Sequence, residues 1–451
     1  MANQQKSIFI CALPGTGHLN PILRVSAELV GRKHRVIVFC DDMFQKIIEK
    51  SGAEYRPYSV KFTLPSQINH QDVDDTHGML LFFFRSVQVA YEDVGYMLEQ
   101  VNTERPDLII YDQFSFTTKY LFKLMEKNYQ DKASPLRPPK SICFYTCFAM
   151  RPSIYPDHCH SKRLLVTDYW SNSLSYSVFN EQVKLCHKYK IEAENPFELA
   201  YNYTTNINII SCFPELQPES EKFDSSFKFV GCCLSNESQN FETNDKQLGD
   251  ILQSFEPINP NYQMSEFSKQ LVYASLGTLF NHKVCVFEKI IESVKILNDS
   301  SVEIMVLISC GKTSLEYLAE KVKNGYNIPD NVALFEFVPQ IEILKRASLF
   351  ITHAGMNSSS EAVHYGVPVI CIPIKADQPL CAIRLADDLK LGVRLDADKF
   401  GCQELFEAIK LVLTDSSFRQ RAVDFSKISR KYDGTLKTAD IVQSVLSNEF
   451  Y

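Results

Sequence analysis

The sequence predicts an α/β protein whose strands form two parallel sheets. In two stretches of the 451-residue chain, short β-branched runs alternate with amphipathic helical patterns, which is typical of parallel α/β sheets. A polar segment, residues 235–263, lies between the two stretches and has the composition of a linker. At roughly one domain per 150 residues, each half is long enough to bury its own core. We therefore expect two domains, residues 1–234 and residues 264–430.

The predicted strands are short apolar and β-branched runs. In the first half they span residues 7–13, 35–39, 107–111 and 141–145. In the second half they span residues 271–275, 303–308, 333–337, 349–352 and 367–372. Helices are expected between them. Residues 151–203 are aromatic but lack strand periodicity, so they either pack under loops or form the wall of an apolar pocket.

Composition excludes several classes of protein. The 47 basic and 54 acidic residues give a net charge of -7, and no basic face for nucleic acid or an anionic membrane is evident. Most of the 14 cysteines sit inside apolar runs, which is typical of reduced core thiols. No uncharged apolar stretch approaches the roughly 18 residues of a membrane span, and the first apolar run is too short for a signal peptide. We expect a soluble, cytoplasmic protein without a membrane partner.

A glycine-rich turn follows the first predicted strand and leads to a histidine. It reads Pro14-Gly15-Thr16-Gly17-His18-Leu19-Asn20-Pro21, and the apolar spacing behind it predicts a helix with Asn20 as N-cap and Pro21 in its first turn. Ligands of open α/β sheets bind beyond the carboxyl ends of parallel strands, so we expect His18 at the cleft. The alternative is a solvent-exposed turn histidine. The loop lacks the third glycine of a dinucleotide fingerprint.

An aspartate follows the third predicted strand of the same half. Asp112 would lie at the same sheet edge as His18, where a carboxylate can fix the tautomer of a histidine that takes up a proton. The alternative is that Asp112 only caps the next helix. Spacing alone does not choose between them.

The second half carries the strongest signal, the run from His353 to Glu361. Its small residues let backbone N–H groups approach an anion, and the following helix, closed by Gly366, supplies the positive end of its dipole. Asn357 and Glu361 share one helical face, so a phosphate at the first turn leaves Glu361 for an adjoining ribose. A capped helix start with an incidental histidine is the alternative.

Two further strand ends offer polar and aromatic groups. Phe337 and Gln340 supply an aromatic face and an amide that can hold a base. Asp377 and Gln378 place a carboxylate beside an amide, a pair that suits vicinal sugar hydroxyls.

The 42 residues from Phe337 to Gln378 resemble the donor-binding signature of family 1 glycosyltransferases, the UDP-glycosyltransferase superfamily. They read aromatic-x-Pro-Gln, His-x-Gly-x-Asn-Ser-x-x-Glu, Gly-Val-Pro and Asp-Gln, in that order. Residues 17–21, 106–112 and 275–278 are similar to the family's catalytic-histidine loop, catalytic-aspartate strand and second donor loop. The residues from His353 to Met356 are most similar to those of the bacterial macrolide-glycosyltransferase branch, which mites also carry.

This resemblance implies the GT-B fold, two Rossmann-like domains with parallel sheets facing a central cleft. The C-terminal domain would bind the donor and the N-terminal domain the acceptor, and a final helix within residues 431–451 would return to the N-terminal domain. His18 would be the general base, supported by Asp112. The family's uracil-stacking residue is often Trp, whereas this chain has Phe337. The implied donor-binding residues are Gly17, Thr146, Ser275, Gly277, Thr278, Phe337, Val338, Gln340, His353, Gly355, Asn357, Ser358, Glu361, Asp377 and Gln378.

Within that set, the resemblance implies a role for each group. Gln340 and Glu361 would hold the ribose, and Asp377 and Gln378 the sugar. Thr146 falls near the position where some relatives contact the sugar 6-hydroxyl. The diphosphate would lie against Thr278, His353, Asn357 and Ser358. Phe82, Phe116 and Phe148 are the expected acceptor-binding residues.

The implied activity is an inverting transfer of a hexose, above all glucose, from a UDP-sugar to a hydroxyl of a flavonoid, phenol, macrolide or similar lipophilic acceptor, as in detoxification by xenobiotic conjugation. No cofactor and no metal is expected beyond the UDP-glucose co-substrate. A nucleotide-sugar-binding protein without transferase activity is the alternative, and a nicotinamide oxidoreductase is a more distant one.

Two groups of residues could be taken for metal ligands. Asp72-Val73-Asp74 has the letters of the Asp-x-Asp motif of metal-dependent glycosyltransferases, but it lies in a polar stretch without a preceding strand. A cluster of Cys143, Cys147, His158 and His160 matches no common zinc spacing. A solvated loop and core packing are the better interpretations.

Overall fold

The computed structural model describes residues 5–62, 75–149, 173–194, 199, 207–234, 245–257, 269–278, 280–298 and 303–447. The chain divides into two compact units. Unit 1 comprises residues 1–235 and 433–451, and unit 2 comprises residues 236–432. Each unit is built on one parallel sheet with helices between the strands, which confirms the predicted α/β class.

The sheet of unit 1 has seven strands. They are β1 (Ser7–Cys11), β2 (Arg35–Cys40), β3 (Glu54–Pro57), β4 (Leu108–Asp112), β5 (Lys140–Tyr145), β6 (Asn208–Ile210) and β7 (Phe227–Phe229). Their spatial order is β3-β2-β1-β4-β5-β6-β7, and every neighbouring pair runs parallel. The chain therefore proceeds outward from β1 to β3, and β4 then starts again on the other side of β1.

Five α-helices lie in the described residues before residue 190. They are α1 (Thr16–Gly31), α2 (Gln45–Lys50), α3 (Asp75–Glu104), α4 (Phe116–Gln130) and α5 (Ser173–Tyr189). The apolar face of α1 packs on β1 and β2 in one buried cluster that contains Leu29, Ile10 and Val38. Helices α3, α4 and α5 enclose a second, aromatic cluster around Phe83 and Tyr120. Burial of these faces stabilises the unit by the hydrophobic effect.

The sheet of unit 2 has six strands. They are β8 (Gln270–Ser275), β9 (Ile304–Ser309), β10 (Val332–Phe335), β11 (Leu349–Thr352), β12 (Val369–Cys371) and β13 (Gly392–Arg394). Their order is β10-β9-β8-β11-β12-β13, again with parallel neighbours. The first four strands of this sheet thus repeat the order of the first four strands of unit 1.

Eight α-helices of unit 2 lie in the described ranges. They are α6 (Lys246–Ser254), α7 (Val284–Leu297), α8 (Gly311–Lys323), α9 (Gln340–Leu344), α10 (Met356–Tyr365), α11 (Gln378–Ala382), α12 (Cys402–Thr414) and α13 (Ser416–Ser429), and a π-helical segment, Ile383–Asp388, follows α11. The core of the unit joins β8, α7 and α12 through Val272, Phe287 and Ile409.

The last helix, α14 (Gly434–Leu446), belongs to unit 1 and packs on α1. Arg32 forms an ion pair with Asp440 at 2.7 Å, and His34 Nε2 lies 3.0 Å from Gln443 Oε1. Val442 is fully buried in the cluster that also contains Leu29, Ile10 and Val38. Asp433 caps the helix through a hydrogen bond from the Leu436 N–H.

The structure departs from the predicted elements in a few places. Strands β3, β6, β7 and β13 have no predicted counterpart, because runs of three or four residues are too short for a periodic pattern. The predicted linker contains α6, whose N-cap is Asp245. Its buried residues Leu248, Ile251 and Leu252 recur at helical spacing within a polar sequence.

Candidate functional site

In unit 1 the winding of the sheet reverses between β1 and β4. These strands are neighbours, with Cys11 opposite Tyr111, but one leads on to β2 and the other to β5. Ligands of open α/β sheets bind beyond the carboxyl ends of the strands at such a switch point. His18 follows β1 and Asp112 ends β4, so the fold brings both predicted residues to this position.

Helix α1 begins earlier than the sequence predicts. Its first residue is Thr16, Gly15 is the N-cap, and Pro21 lies inside the helix, so the prediction of Asn20 as N-cap is wrong. The N–H groups of His18 and Leu19 both donate to the carbonyl of Gly15. Proline in the second turn removes only its own N–H, and the helix tolerates that loss here. His18 consequently occupies the first turn of a helix rather than a loop.

Two side-chain oxygens hold the imidazole of His18. Its Nδ1 lies 2.8 Å from Asp112 Oδ2 and 2.8 Å from Thr146 Oγ1. Asp112 is fully buried, whereas 27% of the His18 side chain is exposed. The second carboxylate oxygen, Oδ1, accepts the backbone N–H of Phe114 at 2.9 Å, which fixes the plane of the carboxylate. With hydrogen on Nδ1, donated to Asp112, the lone pair resides on Nε2, which can accept a proton.

Asp112 does not cap the following helix. Helix α4 begins at Phe116 and its N-cap residue is Ser115, so the carboxylate of Asp112 serves His18 and the connecting loop. The geometry therefore favours the functional interpretation of Asp112 over the capping one.

An aromatic side chain outside the predicted acceptor set contacts His18. The ring of Phe114 meets the imidazole edge-on at 6.1 Å between centroids, and Phe82 meets Phe114 at 5.7 Å. Phe82 is half-buried, but Phe116 and Phe148 are 1% and 3% exposed and belong to the core of unit 1. Phe114 carried a signal in the sequence, since it lies two residues after the strand-ending Asp112. Most of the aromatic segment 151–203 lies outside the described residues.

Unit 2 has its own switch point, between β8 and β11. Ser275 lies opposite Thr352 in the register of these strands, so the loops that follow them emerge side by side. Ser275 is buried and its Oγ accepts the N–H of Gly277, while Thr278 is exposed. The fold thus brings the second donor loop beside the loop that begins at His353.

The imidazole of His353 lies between two glycines. A Cβ atom on Gly277 would lie 2.7 Å from its Nε2, and one on Gly355 would lie 2.6 Å from the same atom. Gly277 also has φ of +72°, a conformation that favours glycine. Burial lowers the pKa of His353 from 6.5 to about 4, so the ring is neutral near pH 7. Its buried Nδ1 has no hydrogen-bond partner among the described residues. A buried polar atom of this kind suits a bound anion.

Helix α10 begins directly after this loop, with Gly355 as N-cap. Asn357 and Ser358 lie in its first turn, where backbone N–H groups lack intrahelical partners. Its C-cap is Gly366 in the left-handed conformation, with φ of +66°, which confirms the predicted end of the helix. The first turn combines N–H donors with the positive end of the helix dipole, the arrangement that binds phosphate.

A buried tyrosine organises the side chains predicted to hold the ribose. Gln340 donates from Nε2 to Glu361 Oε2 at 2.6 Å and to Ser358 Oγ at 3.2 Å. Its Oε1 accepts the hydroxyl of Tyr273 at 3.2 Å. Tyr273 is 1% exposed and stacks on Phe350 at 4.8 Å between ring centroids. Tyr273 carries no signal of a site residue in the sequence, because it lies inside a strand and only the fold places it beneath α9.

The aromatic side chain predicted to stack on uracil is open to solvent. Phe337 is 77% exposed, an unusual position for a phenylalanine, whereas the adjacent Val338 is 1% exposed. Phe337 thus offers a whole ring face to a planar ligand. Val338 packs in the core and can offer only its backbone.

In the loop after β12, the amide of Gln378 and the carboxylate of Asp377 have different environments. The side-chain oxygen of Gln378 accepts the backbone N–H groups of Ile374 and Lys375, at 2.8 Å and 3.0 Å. Ala376 between them has φ of +60°. Gln378 therefore shapes the loop, and Asp377 is its half-buried carboxylate. Lys375 is half-buried as well.

No group of three or more His, Cys, Asp or Glu side chains in the described residues could hold a metal ion. Asp72, Asp74, His158 and His160 lie outside those residues. Cys143 and Cys147 are buried, and burial raises the pKa of the Cys143 thiol to about 12. Of the helices that the structure describes, none is long and apolar enough to cross a membrane.

Comparison with known proteins shows what the chain is similar to. Residues 304–440 match the family model described as UDP-glucoronosyl and UDP-glucosyl transferase. The chain is 28% identical over 448 residues to the NDP-glycosyltransferase YjiC of Bacillus licheniformis, with 98% of each chain covered. It is also 23% identical over 446 residues to the oleandomycin glycosyltransferase of Streptomyces antibioticus. That alignment covers 97% of this chain and 90% of the relative. These matches confirm the resemblance to family 1 UDP-glycosyltransferases and their bacterial members.

A solved structure shares the fold. The glycotransferase of kitacinnamycin superposes with a TM-score of 0.73 at 20% identity and covers 98% of both chains. The fold is accordingly the GT-B fold of glycosyltransferases. Over nearly its whole length the chain is thus similar to glycosyltransferases.

Proposed function

We propose that the protein transfers a hexose, above all glucose, from a UDP-sugar to a hydroxyl of a small lipophilic acceptor, with inversion and without a metal ion. The observation that carries the proposal is the His18–Asp112 pair, 2.8 Å apart at the switch point of a sheet, in a chain related to glycosyltransferases. His18 is partly exposed and Asp112 is buried behind it, the arrangement of a general base and its supporting carboxylate.

In this proposal the donor UDP would bind to unit 2, with different residues for each of its parts. The first turn of α10, with Asn357 and Ser358, would hold the diphosphate beside the buried Nδ1 of His353. Because His353 is neutral, it would contribute a hydrogen bond rather than a charge. Gln340 and Glu361 would hold the ribose.

The base and the sugar have separate partners. The exposed ring of Phe337 would stack on uracil. Asp377, half-buried in a loop that Gln378 shapes, would accept hydrogen bonds from the sugar hydroxyls.

In the reaction, Nε2 of His18 takes the hydroxyl proton while the acceptor oxygen attacks the anomeric carbon from the side opposite the diphosphate. The bond from that carbon to the phosphate oxygen breaks, and the diphosphate leaves with the electron pair. Asp112 stabilises the imidazolium that forms. The helix N-terminus at Asn357 stabilises the leaving diphosphate by its dipole, so the step needs no metal ion.

Aromatic side chains near His18 favour an apolar acceptor. Phe114 contacts the imidazole of His18 and Phe82 contacts Phe114, so apolar surface lies beside this ring. Relatives named for oleandomycin and kitacinnamycin support a small-molecule acceptor. We propose that phenols, flavonoids and macrolides are the classes to test.

The test is a screen of UDP-sugars against those acceptor classes and terpenoid alcohols, with products detected by mass spectrometry. Glycosylated product and released UDP in equal amounts are expected, and the rate should stay within about twofold after exhaustive EDTA treatment because the dipole and hydrogen bonds replace the cation. Restoration of activity by manganese alone would contradict the metal-independent step.

The alternative is a protein that binds the nucleotide sugar without chemistry. It predicts UDP affinity by calorimetry with neither transfer nor hydrolysis of the donor. The hydrogen-bonded His18–Asp112 pair counts against it, since binding the nucleotide in unit 2 does not require that pair.

A further inference from the structure

Thr146 stands beside the catalytic pair because of the order of the strands. It directly follows β5, which pairs in parallel with β4 and places Phe144 opposite Asp112. The carboxyl ends of these neighbouring strands therefore deliver Asp112 and Thr146 to one edge of the sheet. His18 approaches the same edge from the first turn of α1.

The hydroxyl of Thr146 is engaged with His18. Its Oγ1 and Asp112 Oδ2 each lie 2.8 Å from Nδ1 of the imidazole. Thr146 is 5% exposed and Asp112 is fully buried, so both oxygens approach the ring from the protein side. One ring nitrogen thus has two oxygen partners, while the imidazole carries 27% of its surface toward solvent.

We infer that Thr146 is a positioning residue for His18, which together with Asp112 holds the ring in the orientation that makes Nε2 the proton acceptor. The inference rests on the proposed function. In the Nδ1–H form the single N–H is shared by two acceptors, Asp112 Oδ2 and Thr146 Oγ1, and a half-turn of the ring about its bond to Cβ would exchange Nδ1 for a carbon and leave both oxygens without that donor. With Thr146 present, two interactions oppose that rotation instead of one.

The resemblance to glycosyltransferases implies another role for this threonine, a contact with the 6-hydroxyl of the donor sugar. The two roles differ in what they predict. A residue that positions His18 acts on the proton transfer with every donor, whereas a residue that binds the 6-hydroxyl acts only on donors that have one.

The experiment uses Thr146→Val, which removes the hydroxyl and keeps the branched shape, and Thr146→Ser, which keeps the hydroxyl. The matched control is Thr438→Val, the same change at a fully buried threonine on α14. Steady-state rates are measured with UDP-glucose and with UDP-xylose, which lacks the hydroxymethyl group. UDP affinity is measured by calorimetry.

Thr146→Val should lower kcat about tenfold with both donors, the size expected for one lost hydrogen bond, and leave KM for the donor and Kd for UDP within about twofold. Thr146→Ser should lose about twofold. The loss in Thr146→Val should shrink for an acceptor that is already ionised, because its oxygen needs no base. A loss confined to UDP-glucose with a raised KM, or an equal loss in the Ser variant, would overturn the inference.

A spectroscopic measurement separates this inference from the proposed function. Nitrogen-15 NMR of labelled histidine reports the tautomer of His18, assigned by its disappearance in His18→Ala. We expect the Nδ1–H form in the full-length protein and a shift toward the other tautomer in Thr146→Val. An unchanged His18 signal in that variant refutes the positioning role, whether or not the protein turns over an acceptor. Absence of transfer by the wild type would instead refute the proposed function.

Discussion

A Cβ atom on Gly355 would lie 2.6 Å from Nε2 of His353, closer than a Cβ atom approaches a non-bonded heavy atom. Gly355 is also the N-cap of α10. One residue therefore meets two requirements, a helix start and a space for the imidazole that precedes it by two positions. Gly277 closes the other side of the ring in the same way. Gly277 and Gly355, which come from two different loops, are therefore both needed to leave space for the imidazole of His353.

Gly355→Ala should lower the affinity for UDP at least tenfold, because the added methyl group displaces His353 from the place where its Nδ1 would meet the diphosphate; ten-fold is roughly 1.4 kcal/mol. Calorimetric titration with UDP measures the effect. The control is Gly401→Ala, since no atom lies within 4 Å of a Cβ there. If folded Gly355→Ala binds UDP as the wild type does, His353 is not a donor-binding residue.

The stability of the protein should fall as the pH drops from about 6.5 toward 4 in a way that depends on His353. Burial lowers the pKa of this histidine to about 4, so in that window the unfolded chain binds a proton that the folded protein does not. Denaturant unfolding of wild type and His353→Asn at about pH 7.5 and about pH 5 measures this. The wild type should lose at least ~1 kcal/mol more than the variant. Equal losses would show that the imidazole is not desolvated.

His18→Ala should abolish transfer, with a loss of about 10²- to 10⁴-fold, and should leave UDP affinity nearly intact, because a general base does not touch the nucleotide. Asp112→Asn should lose less, since it keeps the shape of the carboxylate next to Nδ1 but removes its charge. Turnover numbers are to be measured with an acceptor that is not already ionised. Full activity of His18→Ala on such an acceptor would contradict the assignment.

UDP-glucose should be used at least tenfold more efficiently than UDP-glucuronate, roughly 1.4 kcal/mol, because a second carboxylate beside half-buried Asp377 requires a compensating cation. Asp377→Ala should reduce kcat/KM with UDP-glucose and change UDP affinity little. Asp398→Ala, an exposed carboxylate of the same unit, serves as the control. Equal efficiency with both donors would mean that the sugar does not lie against Asp377.

Phe337→Ala should weaken UDP binding about fivefold, and Phe337→Trp should strengthen it, because stacking grows with the area of the ring face. Since 77% of Phe337 is exposed, neither change should alter the free energy of unfolding by more than about 0.5 kcal/mol. The control is Tyr317→Ala, another exposed aromatic residue of unit 2. UDP affinity unchanged in Phe337→Ala would remove this residue from the uracil site.

Short apolar, β-branched runs and helical periodicity were sufficient to predict nine of the described strands and the position of His18 and Asp112 at one edge of a sheet. These patterns did not predict features that depend on a few residues, such as the start of α1 and the short strand β13. Pro21 looks like a helix start, yet α1 begins five residues earlier because the carbonyl of Gly15 accepts the first N–H groups. Strand β13 has three residues, and only its pairing with β12 makes it a strand.

The site residues found in the sequence are those that lie at strand ends in recognisable spacing. Some contacts that support them join residues far apart in the chain. Tyr273 reaches Gln340 across 67 positions, and Thr146 reaches His18 across 128. Such contacts depend on strand order, which spacing along the chain does not specify, and so they emerged only from the fold.

The position of α14 in unit 1 has a consequence for the order of folding. Unit 2 is continuous in sequence, whereas unit 1 needs a helix that is synthesised after all of unit 2. The bond between His34 and Gln443 spans 409 positions, so its formation carries the entropy cost of closing a very long loop. During synthesis, the apolar face of α1 that packs on α14 therefore stays exposed until α14 has been made. Unit 2 can reach its native state before unit 1 does.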